Sequence, residues 1–193
     1  MTTWWHDERL GAVLEALRGA ARVLDVGCGA GDLVMPLLAL PGVEAVVALD
    51  PDRARLEALR ARLPEGEGRV TLVHGSAAGV DGRLAGFDAC ALVEVIEHLD
   101  PATLAAAVRG VFGLARPGLV VVTTPNAEFN PLLGVPARRF RHPGHRFEWG
   151  RAQFAGWAGG VARAHGYAVA CRTIAGAHPV LGGASQMAVF RRG

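Results

Sequence analysis

Val23-Leu24-Asp25-Val26-Gly27-Cys28-Gly29-Ala30-Gly31 decides the fold of this chain. A short apolar run ends in an acid, three glycines alternate after it, and Leu33 to Leu40 then resume an apolar pattern. The reading is a parallel strand, Arg22–Val26, that turns sharply into a helix over Gly31–Leu40. Glycines at such a turn let the backbone bend and come close to a ligand, because a Cβ would collide there. Outward from this unit the pattern repeats. Ala45–Leu49, Val70–Val73, Phe87–Val93 and Leu119–Thr123 are β-branched apolar runs. Between them Asp52–Leu63 and Ala102–Ala115 have helical spacing. Asp7–Leu17 precedes the unit as a helix with Leu10, Val13, Leu14 and Leu17 on one face. Arg151–His165 is a further helix, and Tyr167–Thr173 and Ser185–Phe190 are closing strands. Alternating strands and helices predict an α/β, doubly wound, mostly parallel seven-stranded sheet of Rossmann-like type.

The glycine spacing separates cofactor classes. A dinucleotide site wants G-x-G-x-x-G with a pyrophosphate on the helix N-terminus. Here the pattern is D-x-G-x-G-x-G, and Asp25 would repel a diphosphate. S-adenosylmethionine, which carries an ammonium and a sulfonium, suits an acidic start. Asp50 closes the second strand nineteen residues after Gly31, placed for hydrogen bonds to ribose hydroxyls. Asp25, Gly27, Gly29, Gly31 and Asp50 are therefore the expected cofactor residues. The bland alternative is a glycine-rich turn in an α/β protein that binds something else.

Length and composition agree with one folded unit. The 193 residues, 51% hydrophobic and 20% charged, suffice for a single domain over 1–193 without disulfides. Three widely spaced cysteines point to a reducing cytoplasm. No apolar run is long enough to span a bilayer, and no signal peptide is evident. All 20 basic residues are Arg, a bias that a GC-rich genome would produce, so the net charge of +2 says little.

Glu94-Val95-Ile96-Glu97-His98 follows the fourth strand. A helical turn there puts Glu94, Glu97 and His98 on one side, and two carboxylates with an imidazole can ligate a divalent cation. The same pattern also fits methyltransferases that act on small molecules without metal. Between Thr124 and Gly150 no period is visible. This long loop leaves the carboxyl end of a strand, where α/β enzymes place function. Arg138, Arg139, Arg141, Arg146 and Arg151 fall within fourteen residues that hold one acid, Glu148. Arginine forks suit phosphates, and Phe140, Phe147 and Trp149 offer stacking surfaces for a base. The competing reading is a solvated loop whose aromatics anchor it.

Several blocks together resemble a known family. They are the cofactor motif, Glu94 to His98, Thr124-Pro125-Asn126-Ala127-Glu128-Phe129-Asn130, Arg141-His142-Pro143-Gly144-His145-Arg146-Phe147-Glu148-Trp149, and Arg151-Ala152-Gln153-Phe154 with Trp157-Ala158. Within the class I S-adenosylmethionine-dependent methyltransferases, they look like the small-RNA 3′-terminal 2′-O-methyltransferases of the HUA ENHANCER type, in particular the bacterial RNA-repair branch. Gly144 stands where that family has an acidic residue, and Gly150 where Thr is usual.

The resemblance implies an adenine pocket lined by His74-Gly75-Ser76-Ala77, with Ser76 and Ala77 as cofactor residues. It implies one divalent cation, Mn²⁺ or Mg²⁺, held by Glu94, Glu97, His98 and His145, with His142 the rival of His145. These four would form the catalytic set, and His98 or His145 could help take the proton. The substrate would be the 2′-hydroxyl at an RNA 3′ end, with Arg138, Arg139, Arg141 and Arg146 on phosphates. Bacterial relatives cooperate with an end-healing kinase–phosphatase and a ligase through an additional N-terminal domain. This chain begins with Met shortly before its first helix, so an enzyme acting alone is also expected. The alternatives are a small-molecule O- or C-methyltransferase and a non-catalytic RNA-binding module on the same fold.

Overall fold

The computed structural model describes residues 4–193. Helix α1 (Trp4–Leu17) precedes β1 (Arg22–Val26), α2 (Val34–Leu38), β2 (Ala45–Asp50), α3 (Arg53–Arg62) and β3 (Val70–His74). Then come β4 (Ala89–Val93), α4 (Pro101–Val108), β5 (Leu119–Pro125), α5 (Arg151–His165), β6 (Tyr167–Ile174) and β7 (Ser185–Arg192). The seven strands lie in the order β3-β2-β1-β4-β5-β7-β6. The first five pair in parallel, and β7 enters antiparallel between β5 and β6. The mostly parallel seven-stranded sheet expected from the sequence is the one observed. The order reverses between β1 and β4, and at their carboxyl ends this switch point opens a crevice.

Alternation along the strands feeds two cores. Leu24, Val26, Val120 and Val122 face Phe112, Phe154, Ala158 and Phe190 on one side. Val23, Val121 and Met187 face Val13, Leu17, Val34 and Leu59 on the other. Helices cover both faces, which explains why the central strands read as continuous apolar runs.

Two helices differ from expectation. The second was expected over Gly31–Leu40, yet regular helix spans only Val34–Leu38. Gly31 has φ +88°, outside the right-handed helical region, so the chain turns before the helix begins. The helix expected over Ala102–Ala115 is α-helical to Val108 and π-helical from Arg109 to Ala115. Gly110 sits within this wide segment, where a Cβ would lie 2.2 Å from the Val80 carbonyl oxygen. Close approach to the neighbouring turn thus coincides with the change of helical pitch. Among the described residues no helix is long and apolar enough to cross a membrane.

Candidate active site

The cofactor motif folds as a cradle at the end of β1. The amides of Gly27 and Cys28 both donate to the Leu49 carbonyl, at 2.7 and 3.1 Å, which binds the turn to β2. Asp50 braces the same loop: its Oδ2 accepts from the Gly29 amide and its Oδ1 from the Asp52 amide, both at 2.9 Å. A Cβ on Gly29 would meet nothing within 4 Å, so this part of the loop faces open space. Gly31 differs. A Cβ there would lie 2.3 Å from Leu59 Cδ1, and Gly31 lines neither cavity described below. Here Gly31 packs the turn against α3.

Two cavities meet at Gly27, Arg55 and Glu94. One, of ≈ 340 Å³, is lined by Asp50, Ser76, Ala77, Leu99 and His98. The other, of ≈ 190 Å³, is lined by Arg9, Asp25, Cys28, Gly29 and Leu33. Asp25 is 2% exposed, and its Oδ2 has no hydrogen-bond partner. Burial, with the nearby charge of Asp50, pushes its carboxyl up to about 7. A buried carboxyl with an orphaned oxygen calls for a cationic or N–H partner. The ammonium of a methionyl group is such a partner. Asp25 with the small cavity, and Asp50, Ser76 and Ala77 with the larger one, thus suit the two ends of S-adenosylmethionine.

A larger hollow of ≈ 500 Å³ lies beside α1, β6 and β7, lined by Glu15, Ala168 and Arg172 among others, and shares none of these groups.

Glu94 leaves β4 with φ +55°, a left-handed backbone that costs a non-glycine residue about 1–2 kcal/mol. Its amide donates to the Thr123 carbonyl and hydroxyl oxygens, both at 3.1 Å. In return the Thr123 hydroxyl donates to Glu94 Oε1 at 2.9 Å. The other carboxylate oxygen pairs with Arg9 at 3.4 Å. Glu97, in the 3₁₀ turn Ile96–His98, is fully buried. The Thr124 hydroxyl donates to its Oε2 at 3.0 Å, while Oε1 has no partner. Burial first, and the charge of Glu94 second, hold the Glu97 carboxyl well above its ordinary range. Two neighbouring carboxylates with one oxygen orphaned form a donor set that a divalent cation satisfies.

The imidazoles complete the picture. Nitrogens of His98, His142 and His145 all lie within 4.8 Å of one another. Neither glutamate belongs to this compact group; Glu94 is engaged by Thr123 and Arg9, and Glu97 by Thr124. Of the four ligands implied by the resemblance, His98 and His145 fall in this group, while Glu94 and Glu97 stand outside it. Hydrogen bonds fix the tautomers. His98 Nδ1 lies 3.2 Å from the Gly144 carbonyl, and His145 Nδ1 lies 2.6 Å from Glu148 Oε1. Both partners only accept, so each Nδ1 carries a proton, and in the neutral ring each Nε2 then keeps the lone pair. A carboxylate behind a histidine is the arrangement that orients metal-binding imidazoles. Burial keeps the His98 pKa below its ordinary value, which favours the neutral ring. The residues present fit a divalent cation.

The long loop is built around Arg141. Its Nε donates to Asn130 Oδ1 at 2.5 Å, Nη1 to the Ala184 carbonyl at 2.6 Å, and Nη2 to the Asn126 carbonyl. The expected phosphate role of Arg141 is corrected: its guanidinium is a strut tying the loop to β5 and β7. Glu148, whose side chain is 1% exposed, accepts from the Arg141 amide at 2.7 Å, from Asn130 at 2.6 Å and from His145. Asn126, also buried, donates to the Leu181 and Gly183 carbonyls. Arg138, Arg139 and Arg146 are exposed, with no side-chain hydrogen bond or ion pair among the described residues. Arg151 pairs with Glu128 at 2.6 Å. Phe147 stacks on Trp149 at 4.0 Å and packs on the core, so these two anchor the loop, whereas Phe140 is 47% exposed.

Sequence reasoning passed over Arg9, Thr123 and Thr124, which set the two carboxylates, and Asn126 and Asn130, which set the loop. The signal for the last two was present in the Thr124-to-Asn130 block, where polar side chains interrupt an otherwise apolar strand exit.

Comparison with known proteins agrees with this geometry. A family model described as a methyltransferase domain matches residues 23–118. The small RNA 2′-O-methyltransferase of Rattus norvegicus is 38% identical over 185 residues, which cover 89% of this chain and 46% of that protein. The enzyme of the same name from Arabidopsis thaliana is 33% identical over 90% of this chain and 21% of its own length. The chain thus spans about half or less of the curated relatives it matches. Among solved structures, the methyltransferase domain of bacterial CtHen1 is 37% identical, with a TM-score of 0.87, over 98% of this chain and 99% of that one. Fold, cofactor cradle and near-complete coverage of that domain lead to one conclusion: this chain belongs to the Hen1 family of small RNA 2′-O-methyltransferases, within the class I S-adenosylmethionine-dependent methyltransferases.

Proposed function

We propose that this chain transfers a methyl group from S-adenosylmethionine to the 2′-hydroxyl of the 3′-terminal nucleotide of RNA, with a divalent cation held by Glu94, Glu97, His98 and His145. The observation that carries the reading is the conjunction of two histidines held as Nδ1–H tautomers with the buried carboxylate of Glu97, the residue next to His98. Neutral His98 and His145 keep their Nε2 lone pairs free, Glu97 Oε1 lacks a partner, and the Arg146 amide donates to the Glu97 carbonyl at 2.7 Å, which ties the loop to that turn. Two imidazoles and two carboxylates suit Mn²⁺ at least as well as Mg²⁺.

A bound cation supplies Lewis acidity, lowering the pKa of a hydroxyl it contacts as it does for water. The chain's own residues do the rest. Asp50, Ser76 and Ala77 line the place for the ribose and adenine of the cofactor, and Asp25 that for its ammonium. Each of His98 and His145 has one free lone pair, so a ring can hold a cation or take a proton, and not both at once. Arg138, Arg139 and Arg146, exposed and unpaired among the described residues, are available to the phosphates of the strand.

A free 2′,3′-diol, the product of an end-healing phosphatase, is the terminus this site suits. The test is methylation of short RNAs by labelled S-adenosylmethionine with chelator present, then with Mn²⁺ or Mg²⁺ restored. Activity should vanish and return. Full activity in excess chelator would overturn the cation and favour a metal-independent methyltransferase.

A further inference from the structure

The three clustered imidazoles are not equivalent. His98 and His145 point their Nδ1 protons at acceptors. His142 does the reverse: the Gly144 amide donates to its Nδ1 at 3.0 Å. A backbone amide can only donate, so this Nδ1 holds the lone pair, and the neutral ring carries its proton on Nε2. For His142 to ligate a cation through Nε2 it would have to lose the Gly144 bond and change tautomer. As folded, it is a donor beside a pair of acceptors.

Gly144 makes this arrangement possible. A Cβ at 144 would lie 3.0 Å from His142 Nδ1, 3.2 Å from its Cε1 and 3.3 Å from His98 Nδ1. Any side chain would press on both rings at once. The glycine thus lets one peptide unit serve two histidines, its amide fixing one tautomer and its carbonyl the other.

His142 is exposed and lines the ≈ 340 Å³ cavity together with Asp50, Asp52, Glu94, Arg55 and His98. Asp50, Ser76 and Ala77 of this cavity belong to the cofactor's place, and among the other lining residues Arg55 and His142 are the donors that an anion approaching past the acids could meet. Resting on the proposed function, the terminal diol sits at the glutamates and at His98 and His145. The next charged group along the strand is the phosphodiester on the 5′ side of that same nucleotide.

We infer that His142, held as its Nε2–H tautomer by the Gly144 amide, donates a hydrogen bond to a non-bridging oxygen of this terminal phosphodiester, and that it binds substrate rather than metal. The ring reads the backbone, so base identity should not matter to it.

The experiment uses the full chain with Mn²⁺, S-adenosylhomocysteine and a short fluorescent RNA. Its terminal linkage is either a phosphodiester or one of the two diastereomeric methylphosphonates. Affinity is read by anisotropy, and Mn²⁺ affinity separately by calorimetry. His142→Ala should weaken binding of the phosphodiester RNA about tenfold, the scale of a hydrogen bond to a charged oxygen. His142→Gln, which keeps an N–H near the position of Nε2, should recover most of that loss. Mn²⁺ affinity should stay within about twofold for both. With one methylphosphonate diastereomer, wild type and His142→Ala should bind alike.

A tenfold or larger loss of Mn²⁺ affinity in His142→Ala would make His142 a ligand and overturn the inference. So would an undiminished penalty on both methylphosphonates. Because the readout is binding, a wild-type chain that binds RNA but never methylates it would refute the proposed function alone.

Discussion

Arg141→Ala should unfold the long loop before it affects RNA affinity. Three nitrogens of Arg141 donate to Asn130 Oδ1 and to the carbonyls of Ala184 and Asn126. The neighbouring Glu148 carboxylate, nearly inaccessible, is placed beside this cation. Truncation removes three charge-assisted bonds, although the Ala184 and Asn126 carbonyls each keep a backbone donor, the Asn126 and Phe129 amides. A hydrogen bond to a charged group contributes about 1.5–3 kcal/mol, and Glu148 would also lose the nearby charge of Arg141. The bonds are partly redundant and the side chain is not wholly buried, so about 3–4 kcal/mol of lost stability is expected. Arg141→Lys should recover little, because one ammonium cannot reach the three acceptors spanned by a planar fork. Urea denaturation of the three proteins measures this directly. RNA affinity at several salt concentrations, under conditions where the variant stays folded, supplies the other half. A stability change below about 0.5 kcal/mol, combined with a salt slope lowered by about 0.7, would refute the strut and restore a phosphate contact.

Three further outcomes follow from the same geometry. Single Ala replacements at Arg138, Arg139 or Arg146 should lower the slope of log RNA affinity against log salt by about 0.7 each, similarly for all sequences, while leaving stability within about 0.5 kcal/mol; unchanged slopes would make the loop a solvated face. Asp50→Ala should weaken S-adenosylmethionine binding by about 1–3 kcal/mol in calorimetry, since the residue both lines the cavity and braces the Gly29 amide; unchanged affinity would count against the cofactor placement. Asp25, whose folded carboxyl titrates near 7 against 3.8 for the free group, binds a proton more tightly folded than unfolded. Its contribution to stability therefore falls as pH rises from about 4 to about 7 and stays low above that, a total of about 4 kcal/mol by linkage. Denaturation at pH 5 and pH 7.5 should show a smaller fall for Asp25→Asn than for wild type, and an equal fall would contradict it.

The central strands were legible because each is a compact apolar run bounded by turn residues and buried on both faces, while the edge strands β3 and β6 are partly exposed. The cofactor cradle was legible because its glycines stand at fixed spacing from a strand-end acid. The packing of Gly31 on Leu59 was not legible within it, since spacing alone does not show which neighbour a glycine faces. The same limit applies to the loop. Five arginines in fourteen residues look alike as letters, yet Arg141 is tied into the fold, Arg151 pairs with Glu128, and Arg138, Arg139 and Arg146 are exposed. Only long-range partners such as Ala184 separate them. His142 and His145 were rivals on spacing alone. Their difference comes from which atom of Gly144 or Glu148 each ring meets, a property of the folded loop.

Methyl transfer from labelled S-adenosylmethionine to short RNAs that differ only at the 3′ terminus bears most directly on what this site does. With Mn²⁺ present, an RNA ending in a 2′,3′-diol should be methylated at its terminal 2′-oxygen. RNAs ending in 2′-deoxyribose, 2′-O-methylribose or a 3′-phosphate should not, and Glu97→Ala should abolish transfer while cofactor binding survives. Equal methylation of the 3′-phosphate RNA, or of internal positions, would contradict recognition of the terminal diol by Glu94, Glu97, His98 and His145.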